Sequence, residues 1–280
     1  MRTALFGPTG RQVAVVGQGT WQLERDDRAR AITALRRGLD LGMTHVDTAE
    51  LYGDGSVEEL VGDAIRGRRD EVFLVSKVVP TNASRTGTGA ACERSLRRLG
   101  VERLDCYLLH WPGRHPLADT IAAFEALMAA GKIASWGVSN CDEEQLAEVE
   151  RLAGAGRCAC DQVLHHLAER AIEHAVLPFC REHEMALVSY SPFGSGHFPR
   201  PGSRGGRVLA EVAAAHGATP HQVALAFLIG LGVFVIPKSA TREHVESNAA
   251  AADLLLSAEE RTRIDEAFPR GPRRRGVPVI

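Results

Sequence analysis

Two hydrophobic periods alternate along this chain of 280 residues. Short apolar runs of strand length are nearly unbroken, as expected of parallel strands that are covered on both faces. Between these runs, apolar residues recur at helical spacing, which predicts amphipathic helices. The predicted strands are GQGTW (17–21), THVDT (44–48), EVFLVSK (71–77), LDCYLLH (104–110), IASWGV (133–138), CDQVL (160–164), ALVSY (186–190) and VFVIP (233–237). The predicted helices cover residues 27–41, 56–66, 87–99, 118–130, 143–153, 170–184, 207–216, 220–230 and 242–251.

A polar residue stands at or near the end of most of these strands. The first four are Asp47, Lys77, His110 and Asn140, at intervals of 30, 33 and 30 residues. One interval is long enough for one strand, one helix and two loops. This regular spacing predicts an α/β protein of the (β/α)8 TIM-barrel type. The carboxyl ends of barrel strands converge on one mouth, which carries the chemistry of the fold. The series continues with Gln162, Tyr190 and Lys238.

The opening segment, residues 3–16, reads as two short strands around a Gly-Pro-Thr-Gly turn. We expect this hairpin to close the bottom of the barrel. Barrels run to about 250 residues as one domain. Residues 1–280 contain no linker or low-complexity tract, so we expect a single barrel domain.

Composition and net charge argue against several classes of binding partner. The formal net charge of −2 gives no broad field for nucleic acid or an anionic membrane, despite the run Arg273–Arg275. No apolar stretch is long enough to span a membrane, and MRTALFG lacks the features of a signal peptide. The six cysteines lie mostly in apolar runs, as reduced thiols of a cytoplasmic enzyme do. The spacing of Cys158 and Cys160 does not match a metal knuckle, so no metal is predicted.

The strand-end residues predict carbonyl chemistry. Tyr52 follows Asp47 by five residues, in a loop over the predicted mouth. A phenol needs a neighbouring cation to exchange a proton readily, and Lys77 on the next strand can supply it, with Asp47 as its counter-ion. His110 can hydrogen-bond to the same centre. Together these four residues can polarise a carbonyl and protonate the alkoxide that forms from it. They include no nucleophile, so reduction of the carbonyl needs a hydride from a cofactor.

These residues stand in segments that resemble the aldo-keto reductase superfamily. The segments are HVDTAELYGDG, LVSK, YLLHWPG, GVSN, SYSPFG and VIPKS, in this order. GTWQLE, CERSLRRLG, ERAIEHAVLPFC and FPRGPRRRGVPVI are similar to bacterial methylglyoxal and general aldehyde reductases. The resemblance implies NADPH-dependent reduction of small aldehydes and 2-oxoaldehydes. It implies Tyr52 as general acid, Lys77 and Asp47 as its tuning pair, and His110 as the residue that orients the carbonyl. Trp21 and Trp111 are candidate substrate contacts beside them.

The resemblance also implies a set of cofactor contacts. Ser139, Asn140 and Gln162 would hydrogen-bond the nicotinamide carboxamide, and Tyr190 would stack under the ring. Lys238 and Ser239 would meet the 2′-phosphate. The remaining expected contacts are Gly19, Thr20, Trp21, Ser191, Phe193, Thr241, His244 and Asn248.

Three positions depart from the family pattern. His244 stands where many relatives have an arginine, and Ser247 stands where a glutamate is common. A histidine is a weaker phosphate partner because its charge depends on pH. We therefore expect NADPH to be preferred only moderately, with weaker binding of NADH possible. His165 stands where relatives often have a tyrosine.

Each residue also has a structural interpretation. Asp47 and Lys77 could be an ion pair at a barrel rim, and His110 a satisfied core histidine. Asn140 could cap the next helix. Trp21, Trp111 and Phe193 either line the substrate site or pack the mouth. The joint occurrence of four chemically matched residues at adjacent strand ends favours catalysis.

Other classes fit less well. GQGTWQ has Gln22 in place of the third glycine of a dinucleotide-binding fingerprint. A metal-dependent hydrolase needs clustered ligands, and only His110 and Asp47 qualify. The remaining alternative is a non-catalytic, cofactor-sensing barrel that regulates a partner. The sequence is compatible with a monomer.

Overall fold

The computed structural model describes residues 1–280, and its centre is an eight-stranded parallel barrel. The barrel strands are β3 (Gln18–Gly19), β4 (His45–Asp47), β5 (Phe73–Val78), β6 (Leu104–Leu109), β7 (Ile133–Ser139), β8 (Cys158–Leu164), β9 (Ala186–Tyr190) and β10 (Phe234–Ile236). Each strand pairs with the next in sequence. The barrel closes between β3 and β10, where the Gly17 amide donates to Val235 at 2.8 Å and the Gly19 amide donates to Pro237 at 3.2 Å. The predicted (β/α)8 fold is confirmed.

Ten α-helices surround the barrel. They are α1 (Arg28–Asp40), α2 (Ser56–Ile65), α3 (Gly87–Leu99), α4 (Leu117–Ala129), α5 (Glu143–Ala153), α6 (Val176–Glu182), α7 (Arg204–Ala215), α8 (Pro220–Gly230), α9 (Arg242–Ala250) and α10 (Ala258–Ala267). All nine predicted helices are present. None of the ten is both long and apolar enough to cross a membrane.

Two helical features differ from expectation. The predicted helix 170–184 is split into a 3-10 turn, Ala171–His174, and α6. Pro178 explains the break, because a proline has no N–H to donate to the carbonyl of His174 and its ring crowds that carbonyl. Helix α10 was not predicted. Its sequence signal is a capping box, in which Ser257 and Glu260 exchange side-chain and backbone hydrogen bonds.

The opening hairpin closes the amino-terminal end of the barrel, as predicted. Strands β1 (Thr3–Leu5) and β2 (Gln12–Ala14) pair in antiparallel fashion. Phe6 is buried between them and packs on the rings of Phe73 and Phe234, with centroids 4.7 and 5.1 Å away. Gly7 has φ of 53°, and a Cβ there would lie 2.1 Å from the Ala159 carbonyl oxygen. The turn therefore requires glycine where the hairpin meets the barrel floor.

The helices and the barrel wall bury one continuous apolar core. All six cysteines are buried within the fold and carry free thiols. The carboxyl ends of the strands lie opposite the hairpin plug, so the polar residues that end the strands face one open mouth.

Candidate active site

A cavity of about 610 Å³ occupies the mouth of the barrel. It is lined by most of the strand-end residues that the sequence singled out. These are Gly19, Thr20, Trp21, Asp47, Tyr52, His110, Trp111, Ser139, Asn140, Gln162, Tyr190, Ser191 and Lys238. Val277, Val279 and Ile280 of the carboxyl-terminal tail also line the cavity, a contact that was not predicted.

Lys77 lies beneath the cavity and is completely buried. Its ammonium group donates to Oδ1 of Asp47 at 2.6 Å, to the carbonyl of Thr48 at 3.0 Å and to the hydroxyl of Tyr52 at 3.2 Å. An ammonium group has three donors, so all three are used within this cluster. The side chain is therefore held in one position, with one N–H directed at the phenol.

Burial and charge act in opposite directions on this cluster. Burial by itself would lower the pKa of Lys77, but the neighbouring Asp47 carboxylate and Tyr52 raise it, so the amine stays protonated. Burial raises the pKa of Tyr52, and the nearby Lys77 only partly offsets this. The cation that the sequence places beside the phenol thus exerts the smaller of the two effects on the phenol pKa. The phenol keeps its proton at neutral pH, which is the form a general acid needs.

His110 completes the group around Tyr52. The two rings meet edge to face with centroids 5.7 Å apart. Burial, with a smaller contribution from Lys77, lowers the pKa of His110 to about 2, so the imidazole is neutral at physiological pH. Its Nδ1 is buried without a protein hydrogen-bond partner. His110 is therefore not a satisfied core histidine, and a neutral ring beside the cavity can hydrogen-bond a carbonyl oxygen.

The second carboxylate oxygen of Asp47 links this cluster to the amides of the mouth. It accepts a 2.7 Å hydrogen bond from Nε2 of Gln162. Asn140 has φ of 59°, a conformation that asparagine tolerates better than most residues. Its Nδ2 donates to the His110 carbonyl at 3.0 Å, and its Oδ1 accepts from the Tyr190 hydroxyl at 2.9 Å. The cap of α5 is Asp142, so Asn140 does not serve as that cap.

Lys238 also lines the cavity; it follows β10 and forms an ion pair with Asp26. Several other predicted cofactor residues do not line the cavity. Ser239 exchanges hydrogen bonds with the backbone of Thr241, whose hydroxyl caps α9 at the amide of His244. The remaining two are Asn248, which is buried in α9, and Phe193, which packs on Phe198 and His221.

Sequence reasoning missed two glutamates, one partly and one completely buried, that support the segments around Tyr52 and Lys77. Oε1 of Glu50 accepts from the Val79 amide at 2.9 Å and from Nδ2 of Asn82 at 3.0 Å. The carboxylate of Glu58 is completely buried and accepts from the hydroxyl of Ser76, the residue before Lys77, at 2.6 Å. Glutamates in a loop or a first helical turn are usually exposed, so the sequence offers no direct signal for either contact.

His165 is buried behind Tyr190. Its Nδ1 lies 2.9 Å from the hydroxyl of Ser189 and its Nε2 lies 3.0 Å from Glu173. Glu173 in turn accepts two hydrogen bonds from Arg170. His165 therefore joins Ser189, the residue before Tyr190, to the buried Arg170–Glu173 pair.

The fold and the cluster at its mouth are those of a TIM-barrel oxidoreductase. Residues 15–268 match the aldo/keto reductase family. The chain is 46% identical over 257 residues to the methylglyoxal reductase YeaE of Escherichia coli, covering 91% of this chain and 90% of that protein. It is 32% identical over 259 residues to a glyoxal reductase of Bacillus subtilis, covering 91% and 89% of the two chains.

Solved structures agree with this match. An aldo-keto reductase from Klebsiella pneumoniae in complex with NADPH superposes with a TM-score of 0.94 at 43% identity, over 100% of this chain and 99% of that one. The chain belongs to the aldo/keto reductase family, and the protein is an oxidoreductase.

Proposed function

We propose that the protein reduces aldehydes and 2-oxoaldehydes of the methylglyoxal type to alcohols, with NADPH as the hydride donor. The observation that carries this proposal is the hydrogen bond between the buried Lys77 ammonium and the Tyr52 hydroxyl at the floor of the cavity. Relatives named for methylglyoxal and glyoxal reduction support the substrate class. The NADPH complex of the Klebsiella relative supports the cofactor.

The residues that line the cavity fit the parts of NADPH. Asn140 and Gln162 line it with amide groups, to which a carboxamide can hydrogen-bond. Tyr190 also lines it and offers a ring for stacking. Lys238 is the only lysine or arginine that lines the cavity, and a phosphate can meet it there. When bound, NADPH supplies the hydride that the carbonyl carbon receives.

The chain's own residues then handle the proton and the charge. Neutral His110 hydrogen-bonds the carbonyl oxygen and orients it. Tyr52 donates its proton to that oxygen as negative charge develops on it. Lys77, fixed by Asp47, stabilises the phenolate that Tyr52 becomes, and it needs no rearrangement to do so. One aldehyde, one hydride and one proton give one alcohol, and Tyr52 regains its proton from solvent.

We further infer that residues 1–280 function as a single barrel domain, because the hairpin plug and the tail both pack on the same barrel. A non-catalytic barrel that only senses the cofactor is less favoured, because the Tyr52–Lys77–Asp47 cluster is intact.

The test is turnover by the pure protein. Methylglyoxal, glyoxal and a panel of aromatic and aliphatic aldehydes are assayed by the loss of NADPH absorbance, with ketones and sugars as comparison substrates. Reduction of any 2-oxoaldehyde at saturable rates supports the proposal. NADPH binding without turnover of any compound would instead favour the cofactor-sensing role, and no binding would exclude both.

A further inference from the structure

Lys238 does not line the cavity as an unpaired cation. Its ammonium contacts the carboxylate of Asp26, and about a third of each side chain is exposed, at 35% and 33%. Asp26 follows the 3-10 turn Leu23–Arg25, in the loop after β3. Strands β3 and β10 are neighbours at the seam of the barrel, which brings these two loops together. The one basic side chain that lines the cavity is thus already paired with an acid.

The position of the acid is fixed by backbone contacts on both sides. The amide of Asp26 donates to the carbonyl of Leu23 at 3.1 Å. The next residue, Asp27, caps α1 by accepting from the amide of Arg30 at 2.8 Å. The backbone at Asp26 is therefore held between a 3-10 turn and a helix start. A ligand that takes Lys238 away from this carboxylate leaves the carboxylate nearby.

The opposite charges of Lys238 and Asp26 bear on one group of the cofactor, the 2′-phosphate. NADPH differs from NADH by a 2′-phosphate, and a phosphate monoester carries about 1.5 to 2 negative charges at neutral pH. Lys238 attracts such a group, whereas Asp26 both competes for the ammonium and repels the phosphate. NADH lacks the 2′-phosphate, and the pyrophosphate charge is common to both nucleotides, so this balance bears on the difference between them.

We propose that Asp26 is a specificity-determining residue that weakens 2′-phosphate binding at Lys238 and so limits the preference for NADPH over NADH. The inference rests on the proposed use of NADPH. It predicts that neutralising Asp26 strengthens NADPH binding alone.

The experiment measures the Kd of NADPH and of NADH by fluorescence titration at low salt. In Asp26→Asn the Kd of NADPH should fall about 1.5- to 5-fold, the range that an exposed ion pair supports, while the Kd of NADH stays unchanged. Asp27→Asn is the matched control, because it removes the same charge from the adjacent residue and asparagine still caps a helix. The gain should shrink at 1 M salt, where surface charges are screened.

A double-mutant cycle tests whether Asp26 acts through Lys238. In the Lys238→Met background, the gain in NADPH affinity from Asp26→Asn should shrink, because only the direct repulsion between Asp26 and the phosphate remains to be removed. Asp26→Ser provides a second neutral variant. An unchanged or weakened affinity for NADPH in both neutral variants would overturn the inference while leaving the proposed function standing. A wild-type protein that binds neither nucleotide would overturn the proposed function itself.

Discussion

The Nζ of Lys77 lies 2.6 Å from Oδ1 of Asp47, and the two side chains are 0% and 2% exposed. Removing one partner of such a buried pair costs about 3–5 kcal/mol of stability, because the other charge is left uncompensated. The pair also directs one of the three Lys77 donors at the Tyr52 hydroxyl. The proposed catalytic Tyr52 is thus hydrogen-bonded to the ammonium group of Lys77. The buried pair of Lys77 on β5 and Asp47 on β4 sets the position of that group.

Tyr52→Phe should remove the proton donor and little else. We expect turnover to fall by about 100-fold or more, the scale of lost general acid catalysis, with the Kd of NADPH nearly unchanged. Steady-state kinetics with methylglyoxal and a cofactor titration measure the two effects. Near wild-type turnover would remove Tyr52 from the mechanism.

Lys77→Met should abolish most activity through Tyr52, since the phenolate would lose its stabilising charge and Asp47 would remain as an unpaired anion. The kinetic test is non-additivity. In a protein that already carries Tyr52→Phe, the further loss of Lys77 should cost little. Lys77→Met/Asp47→Asn is the folding control, because it removes both charges. A full, additive loss in the Tyr52→Phe background would mean that Lys77 acts independently of Tyr52.

Glu50 should act as a positioning residue for Tyr52, two residues later in the same loop. Glu50→Ala leaves the Val79 amide and the Asn82 side chain without their acceptor, so the loop should loosen. We expect kcat to fall about tenfold, as small misplacements of a catalytic group do, with cofactor affinity unchanged. Glu50→Gln keeps the accepting oxygen and should retain most of kcat. Equal losses in the two variants, or an effect confined to KM, would contradict this role.

The polar residues at the strand ends were predictable, because a polar residue that follows an apolar run can be recognised in the sequence alone. Asp47, Lys77, His110 and Gln162 come together because every parallel strand of a barrel ends at the same mouth. The supporting glutamates were not predictable. The buried carboxylate of Glu58 in α2 accepts a hydrogen bond from Arg98 in α3. This contact depends on how the two helices pack, which no local sequence pattern predicts.

Two further features were not predicted from the sequence, each for a separate physical reason. Helix α10 has the mostly polar sequence AEERTRIDEA, and Ile264 is its only buried residue, so its apolar period is too weak to read. The tail residues Val277 and Ile280 lie in a segment without helical or strand periodicity, and their place at the mouth follows from tertiary packing alone.

His244 should limit the preference for NADPH. The residue lies in the first turn of α9 with an exposed side chain, at the position where the family resemblance implies an arginine. His244→Arg adds a permanent guanidinium group that can meet a phosphate with charge-assisted hydrogen bonds. We expect the NADPH preference, taken as the ratio of the two Kd values, to rise about tenfold. His197→Arg, at an exposed histidine elsewhere, should not change the ratio. Equal gains in the two variants would show that only net charge matters.

His45 should make the fold sensitive to acid. Its ring is buried among Phe6, Phe73 and Phe234, and both ring nitrogens lack hydrogen-bond partners. Burial lowers the pKa of His45 to about 4 from its ordinary 6.5, an effect that Asp47 opposes and Lys77 reinforces. The unfolded chain therefore binds a proton below about pH 6.5 that the folded protein does not accept until about pH 4. The stability associated with the neutral ring is present above pH 6.5 and is lost as the pH falls.

The measurement is the free energy of unfolding by urea at pH 7 and at pH 5. Between these values the wild type should lose on the order of 2 kcal/mol more than His45→Phe, which places a non-titrating ring in the same aromatic surroundings. Comparing the change with pH, and not the absolute stability, cancels any uniform cost of repacking the larger ring. His197→Gln, which removes an exposed histidine, should keep the wild-type loss. If His45→Phe loses as much stability as the wild type, acid acts on this fold through other groups and the buried imidazole is not the sensitive site.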